Sequence, residues 1–160
     1  MSVLVQIYRL LYTQYMRVLI LQCDALSYTL KSFYGTGVDD SVGRTAVFEE
    51  VTLAFVAVEP GDQSKVNAAA KRLRKAARDQ QTRHVVLGPF AHLSQSLAKP
   101  DEAIDTLNQL ADRLRSTLPP TVNLDVAPFG WHKSYRLEIS GELGSQSFFE
   151  ATAPTKEPNS

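Results

Sequence analysis

The pattern of hydrophobic and polar positions divides the chain into short apolar or alternating runs and two longer segments of helical period. Continuously apolar runs are typical of strands buried on both faces, and alternating runs are typical of strands buried on one face. Val122, Leu124 and Val126, for example, alternate with polar residues. On this basis strands are predicted at 17–23, 25–34, 47–58, 84–88, 122–126, 133–140 and 148–152.

Two segments repeat apolar residues every three or four positions and are predicted to be helices. The first covers about 63–80, with Asp62 as its N-cap. The second begins at Pro100, a residue suited to a first helical turn, and ends before Pro119. The resulting order β-β-β-α-β-α-β-β-β predicts an α/β fold, a mixed β-sheet domain with two main helices packed on it.

The length of 160 residues and a hydrophobic content of 44% are expected of one globular domain. We place this domain at 16–152, with an N-terminal extension of unknown role at 1–15 and a flexible tail or linker at 153–160. Met16 opens the first strand and is an alternative start of the functional chain. Polar residues interrupt the apolar beginning, so we expect no signal peptide, no membrane span and a cytoplasmic location.

Charge gives the chain as a whole no attraction to nucleic acid, because 17 basic residues balance 17 acidic ones. Positive charge is concentrated in the first predicted helix. There Arg74, Lys75 and Arg78 are candidate contacts for an RNA backbone. The simpler interpretation is that these side chains form an ordinary solvated helix face.

Metal and cofactor chemistry find little support in the sequence. The three histidines are scattered without the spacing of a metal site, and no glycine-rich phosphate-binding motif occurs. The only cysteine, Cys23, excludes an internal disulfide and fits a small core residue better than a thiol catalyst. We therefore expect neither a metal nor a cofactor.

Two segments that follow predicted strands carry most of the chemical information, 88–93 and 127–133. Each contains a Pro-Phe pair followed within a few residues by an ionisable side chain, His92 in one and Lys133 in the other. Proline fixes its own backbone and phenylalanine supplies an apolar wall, so the pKa of such a group can be tuned. By alternation, Lys133 shares the apolar face of its strand with Tyr135. Lys133 is then either a lysine that reaches out to water or a partly desolvated functional amine.

Four stretches in matching order resemble the N-terminal editing domain of archaeal-type threonyl-tRNA synthetases, and the resemblance covers about 16–152. They are Met16-Arg-Val-Leu-Ile-Leu, Glu49-Glu50-Val51 through 54–59, 89–94 with 97–100, and Ala127-Pro128-Phe129-Gly130 leading to Lys133. The resemblance implies a fold similar to D-aminoacyl-tRNA deacylases, usually a homodimer. The implied activity is hydrolysis of L-serine wrongly esterified to threonine tRNA while L-threonine is spared, with assistance from a ribose hydroxyl of the tRNA.

The resemblance also implies the site. Lys133 and His92 match the principal functional side chains of the family, and we expect them to be catalytic. The expected substrate-binding residues are Val58, Pro89, Phe90, Ala91, Phe129, Gly130, Trp131, His132 and Gln146. His132 departs from a common tyrosine, and Gln146 stands where an acidic residue is common; glutamine cannot act as a carboxylate base.

Three functions therefore remain open. The first is an editing deacylase for seryl-charged threonine tRNA, working with a threonyl-tRNA synthetase catalytic module in cis or in trans. The second is a D-aminoacyl-tRNA deacylase, which would test chirality instead of size. The third is a non-catalytic tRNA-binding module, for which the departures at His132 and Gln146 would account.

Overall fold

The computed structural model describes residues 3–4, 15–35 and 40–153. The predicted N-terminal extension at 1–15 and the tail at 153–160 therefore fall almost wholly outside the described residues. The described chain forms strands β1 Met16–Phe33, β2 Thr45–Ala57, β3 His84–Pro89, β4 Asn123–Val126, β5 Trp131–Ile139 and β6 Gln146–Ala151. Its two long helices are α1 Val66–Gln80 and α2 Pro100–Thr117, and short 3-10 turns lie at Asp62–Lys65 and Ala91–Leu93.

The strands form one mixed sheet, which confirms the predicted fold class. Hydrogen bonding gives the order β4-β3-β2-β1-β5, and β6 pairs with β1 as well. The pairs β2–β3 and β3–β4 are parallel, whereas β1 runs antiparallel to β2, β5 and β6. The carboxyl ends of β2, β3 and β4 therefore meet at one edge of the sheet.

The two strands predicted at 17–23 and 25–34 are in fact one long strand, β1. Asp24 is exposed between them, and the β1–β5 register shifts there, between Cys23 and Ala25. Pairing with β2 nevertheless continues on both sides of this irregularity. Sequence alternation breaks at such a bulge, but the hydrogen-bonded ladder does not, so the pattern alone suggested two strands.

A bulge bends the strand that carries it, and β1 carries this one in the middle of its long pairing with β2. On β2 the facing residue Glu50 has a left-handed backbone, with φ 49°. Beyond the bend, Tyr28 and Leu30 pack in one buried cluster with Ala127, which follows β4, and Trp131, which opens β5. The bend thus brings the second half of β1 to the carboxyl end of β4.

Both helices cover one face of the sheet and bury its main hydrophobic core. Leu73 of α1 and Leu110 and Leu114 of α2 are fully buried there against sheet residues such as Val56. Asp62, predicted as the N-cap of α1, instead opens a 3-10 turn, and α1 itself begins at Val66. Within the described ranges, no helix is long and apolar enough to cross a membrane.

The end of α1 generates a first testable prediction. Gln81 caps the helix in the left-handed conformation, φ 53°, which disfavours any side chain that carries a Cβ. We expect Gln81→Gly to raise the free energy of unfolding in urea by about 1 kcal/mol. The matched variant Gln80→Gly, one residue earlier in right-handed helix, should lower it by about 1 kcal/mol. Equal destabilisation by both variants would contradict this account of the cap.

Candidate active site

A cavity of about 210 Å³ opens at the edge where β2, β3 and β4 end. The segment after β3 and the turn after β4 form its walls, and the beginning of α2 closes it from the helical side. Its lining residues are Tyr34, Val56, Ala57, Val58, Pro89, Phe90, Ala91, Leu97, Ala98, Pro100, Ala103, Leu107 and Phe129. Open α/β sheets commonly bind ligands at the carboxyl ends of their parallel strands.

Five of the predicted substrate-binding residues meet in this cavity: Val58, Pro89, Phe90, Ala91 and Phe129. They come from three separate parts of the chain, and the parallel pairing of β2, β3 and β4 brings them together. The lining carries no charged side chain. This site therefore suits an apolar or aromatic group better than an ammonium or carboxylate.

Sequence reasoning missed the part of the lining that α2 and the end of β1 supply. The sequence predicts Ala103 and Leu107 only as part of a helix, and Tyr34 only as the end of a strand. Helical or alternating spacing predicts which face of an element is buried, but not which other element packs against that face. The stretch 97–100 did match the family pattern, and this was the one available signal.

His92 lies beside the cavity on the 3-10 turn Ala91–Leu93, with an exposed side chain. Its ring packs edge-on against Phe90, with ring centroids 5.4 Å apart. Phe90 in turn contacts Phe55 at 4.4 Å, and Phe55 contacts Tyr135 edge-on at 5.3 Å. We call Phe55, Phe90 and Tyr135 the aromatic wall.

Lys133 belongs to the same side of the molecule as this wall. It lies two residues before Tyr135 on β5, so both side chains project from one face of the strand. It pairs with Leu30 of β1 and is half-buried, and its Nζ donates a hydrogen bond to the carbonyl of Trp131 at 3.2 Å. Burial lowers the pKa of Lys133 from 10.5 to about 8. Lys133 is therefore a partly desolvated amine.

The remaining residues of the second segment form its turn rather than the cavity lining. Gly130 has φ 87°, and an added Cβ would come within 3.0 Å of the Phe33 ring. Trp131 is buried and its ring lies 5.2 Å from that of Phe33. His132 is exposed, and its ring packs 4.8 Å from that of Tyr34, which lines the mouth of the cavity.

Gln146 does not join these residues, contrary to the expectation that it lines the pocket. It opens β6 and pairs with Leu21, on the first half of β1. Lys133 pairs with Leu30, on the other side of the bend at Asp24. The sequence around Gln146 gives no information on which half of β1 the last strand would join.

Comparison with known proteins decides the family. The sequence matches the archaea-specific editing domain of threonyl-tRNA synthetase over residues 16–149. The chain belongs to this editing-domain family. A threonine–tRNA ligase of Nitrosopumilus maritimus is 33% identical over 134 residues, which are 82% of this chain and 21% of that protein. A ligase of Thermofilum pendens is 41% identical over 101 residues, 61% of this chain and 16% of that protein. The chain thus spans about a fifth of the length of these relatives.

Solved structures show the same fold at low sequence identity. A c-Myc DNA unwinding element binding protein superposes with a TM-score of 0.64 at 11% identity, over 86% of this chain and 99% of its own. A probable eukaryotic D-amino acid tRNA deacylase superposes with a TM-score of 0.59 at 12% identity, over 86% of this chain and all of its own. Both likenesses concern the fold alone.

The editing domain also presents a basic surface along α1, away from the cavity. Arg74 and Arg78 line two adjacent grooves of about 630 and 440 Å³. Arg83 adds a third guanidinium to the larger groove, and Lys75 lines the smaller one beside Phe149. The predicted RNA contacts Arg74, Lys75 and Arg78 thus share one surface.

The lowered pKa of Lys133 predicts a pH dependence of stability. Below pH 8 the buried amine is charged in the folded protein, and this charge destabilises the fold. Between pH 8 and 10.5 the folded protein has lost the proton and the unfolded chain still holds it, so stability rises with pH through this window. We expect Lys133→Met to have a higher free energy of unfolding in urea than the wild type at pH 7. The difference in unfolding free energy between the two proteins should narrow towards pH 10.5.

Lys133→Arg is the matched control, because its guanidinium stays charged throughout this range. The difference in unfolding free energy between Lys133→Arg and Lys133→Met should not narrow as the pH rises. If the difference between the wild type and Lys133→Met were equally independent of pH, the assignment of a desolvated amine would be contradicted.

Proposed function

We propose that this editing domain hydrolyses the ester of L-serine wrongly attached to threonine tRNA and spares L-threonine. One observation carries the proposal: an aromatic wall links an imidazole, His92, beside an uncharged cavity to the strand that carries a partly desolvated amine, Lys133. The family match supports the editing role.

The cavity and the two polar groups suit different parts of the acceptor end of a tRNA. The uncharged lining, with Phe90 and Phe129, suits the terminal base and, at the ends of β2 and β3, the side chain of the amino acid, whereas the ammonium of the amino acid would be costly there. The ester and the terminal ribose then lie towards Lys133 and His92. This arrangement places the reacting bond beside the only strongly perturbed amine among the described residues.

The reaction needs a water molecule to attack the ester carbonyl. The water oxygen forms the new bond to carbon, the carbon–ribose oxygen bond breaks, and the water proton passes to the ribose oxygen. Lys133 orients the water and supports the negative charge that develops on the carbonyl oxygen. His92 holds the ester and ribose, and a neighbouring ribose hydroxyl assists, as the family resemblance implies.

Discrimination against threonine depends on one methyl group. Such a group is worth only about 1–3 kcal/mol in a binding pocket, so a synthetic site that accepts threonine also admits serine. A second site can exclude the larger amino acid instead. Val58, Pro89 and Ala91 lie on the ends of paired strands and a fixed turn, where walls yield little to an added methyl.

A D-aminoacyl-tRNA deacylase is the second candidate, favoured by the fold shared with a probable enzyme of that kind. As partners we propose threonine tRNA, a second copy of this chain, and a synthetase catalytic module in cis or in trans. Exposed Leu137 on β5 and Phe148 on β6 support a homodimer, because they leave apolar surface at strands that pair with β1.

Ester loss from charged tRNA tests the proposal directly. We expect the purified protein to release serine from seryl-charged threonine tRNA much faster than threonine from the correctly charged tRNA. Loss of D-aminoacyl esters alone would favour the second candidate. Tight tRNA binding without loss of any ester would leave only a binding module.

Replacement of Lys133 tests the chemistry separately from binding. We expect Lys133→Met to abolish seryl ester hydrolysis, because the amine that supports the oxyanion is gone, while tRNA affinity in a filter-binding assay stays close to that of the wild type. Near-normal turnover by this variant would remove Lys133 from the mechanism.

Charge reversal on α1 tests the proposed RNA surface. We expect Arg74→Glu with Arg78→Glu to raise the apparent KM for charged tRNA and to flatten its dependence on salt, since fewer counterions are released on binding. The control is Arg113→Glu, a reversal of a residue on exposed α2 surface. If both parameters were unchanged in the double variant, the basic grooves would have no part in tRNA binding.

A further inference from the structure

A buried carboxylate lies where β2 ends, immediately after the cavity residue Val58. Glu59 is only 2% exposed, and a charged group so placed must be paired within the protein. Its Oε1 accepts the backbone N–H of Tyr15 at 3.0 Å, and its Oε2 accepts the hydroxyl of Ser94. The Nε of Arg17 lies 3.6 Å from Oε2 and supplies the opposite charge.

The backbone of Glu59 is held as firmly as its side chain. Its N–H donates to Oδ2 of Asp62 at 2.7 Å, and its carbonyl accepts the N–H of Asp62 at 3.2 Å. Asp62 is fully buried and its Oδ1 accepts from Nζ of Lys65 at 2.8 Å. Glu59 is therefore a fixed point to which other segments can be tied.

The segment tied to it, 91–98, forms one wall of the cavity. Backbone hydrogen bonds fasten this wall near both ends, from Phe90 N to the Val56 carbonyl and from Ala98 N to the Val58 carbonyl, each at 2.9 Å. Ser94 lies between these points and bonds to Glu59. Its Oγ also accepts the N–H of Ser96 at 3.0 Å, which fixes the turn itself.

We propose that Glu59 is a positioning residue that acts through Ser94 to set the width of the cavity and the place of His92, and thereby the selectivity for serine. The inference rests on the editing function proposed above. A carboxylate accepting a hydroxyl makes a short, charge-assisted hydrogen bond, stronger than a neutral one. Without it the middle of the wall keeps only the backbone hydrogen bonds of its own 3-10 turn and the packing of Leu93, and can move outward enough to admit one more methyl group.

Ser94→Ala removes this tie without opening a large gap, and leaves Glu59 paired with Arg17 and with the backbone N–H of Tyr15. We expect the ratio of kcat/KM for seryl over threonyl esters to fall about tenfold, the scale of one charge-assisted hydrogen bond. The change should come chiefly from faster threonine release. Ser94→Thr restores a hydroxyl and should restore most of the ratio. Glu59→Gln keeps the shape of the side chain but not its charge, and its ratio should lie between those of Ser94→Ala and the wild type.

The matched control is Ser96→Ala, an exposed serine in the same turn that keeps the backbone N–H bonded to Ser94. Its ratio should equal that of the wild type. Thermal unfolding of all four variants separates selectivity from stability, because a merely structural role for Ser94 would lower Tm and leave the ratio unchanged. That result, or an equal loss in Ser94→Ala and Ser94→Thr, would overturn the proposal.

Failure of the proposed function is distinguishable from failure of this inference. A wild-type protein that releases neither amino acid overturns the editing function, whereas an active wild type with an unchanged ratio in Ser94→Ala overturns only the role of Glu59. Amide hydrogen exchange decides the positioning role independently of activity. Exchange at Ala98 should accelerate in Ser94→Ala and not in Ser96→Ala, and equal rates would overturn it.

Discussion

The bend in the long β1–β2 hairpin is the constraint on which the rest of the structure depends. A bulge at Asp24 and a left-handed residue at Glu50 turn both strands at the same level. The strands remain paired through the turn, so the bend does not break the sheet. Its consequence is that β5, carried on the second half of β1, lies against the turn that follows β4. Lys133 pairs with Leu30 and so lies beside this second half.

The site combines rigidity with an electrostatic contrast. Parallel pairing of β2, β3 and β4 supplies a firm, uncharged cavity, while the aromatic wall joins His92 on one side to the strand of Lys133 on the other. The same burial that makes the wall dry lowers the pKa of Lys133. Packing and chemistry are therefore not separate features here, because the burial of β5 against β1 also tunes the amine.

Charge is distributed in two ways that serve different purposes. On α1 the arginines and lysines are exposed, apart from the half-buried Arg74, and suit a mobile, hydrated polyanion. At the end of β2 the buried carboxylates of Glu59 and Asp62 are paired with Arg17 and with Lys65. Buried pairs of this kind contribute little net stability but fix geometry closely, which is where a site that separates two amino acids by one methyl has most to gain.

The sequence by itself determined the α/β class, both helices, most strands, and the segments that carry His92 and Lys133, because these depend on periodicity, proline positions and local motifs. It also determined that Lys133 shares a face with Tyr135, since alternation fixes that relation within a strand. Only the tertiary structure decided that β1 is continuous, that α2 and Tyr34 complete the cavity, and that Gln146 lies elsewhere. These facts depend on which strand pairs with which half of β1, and register between distant strands leaves no mark on local pattern.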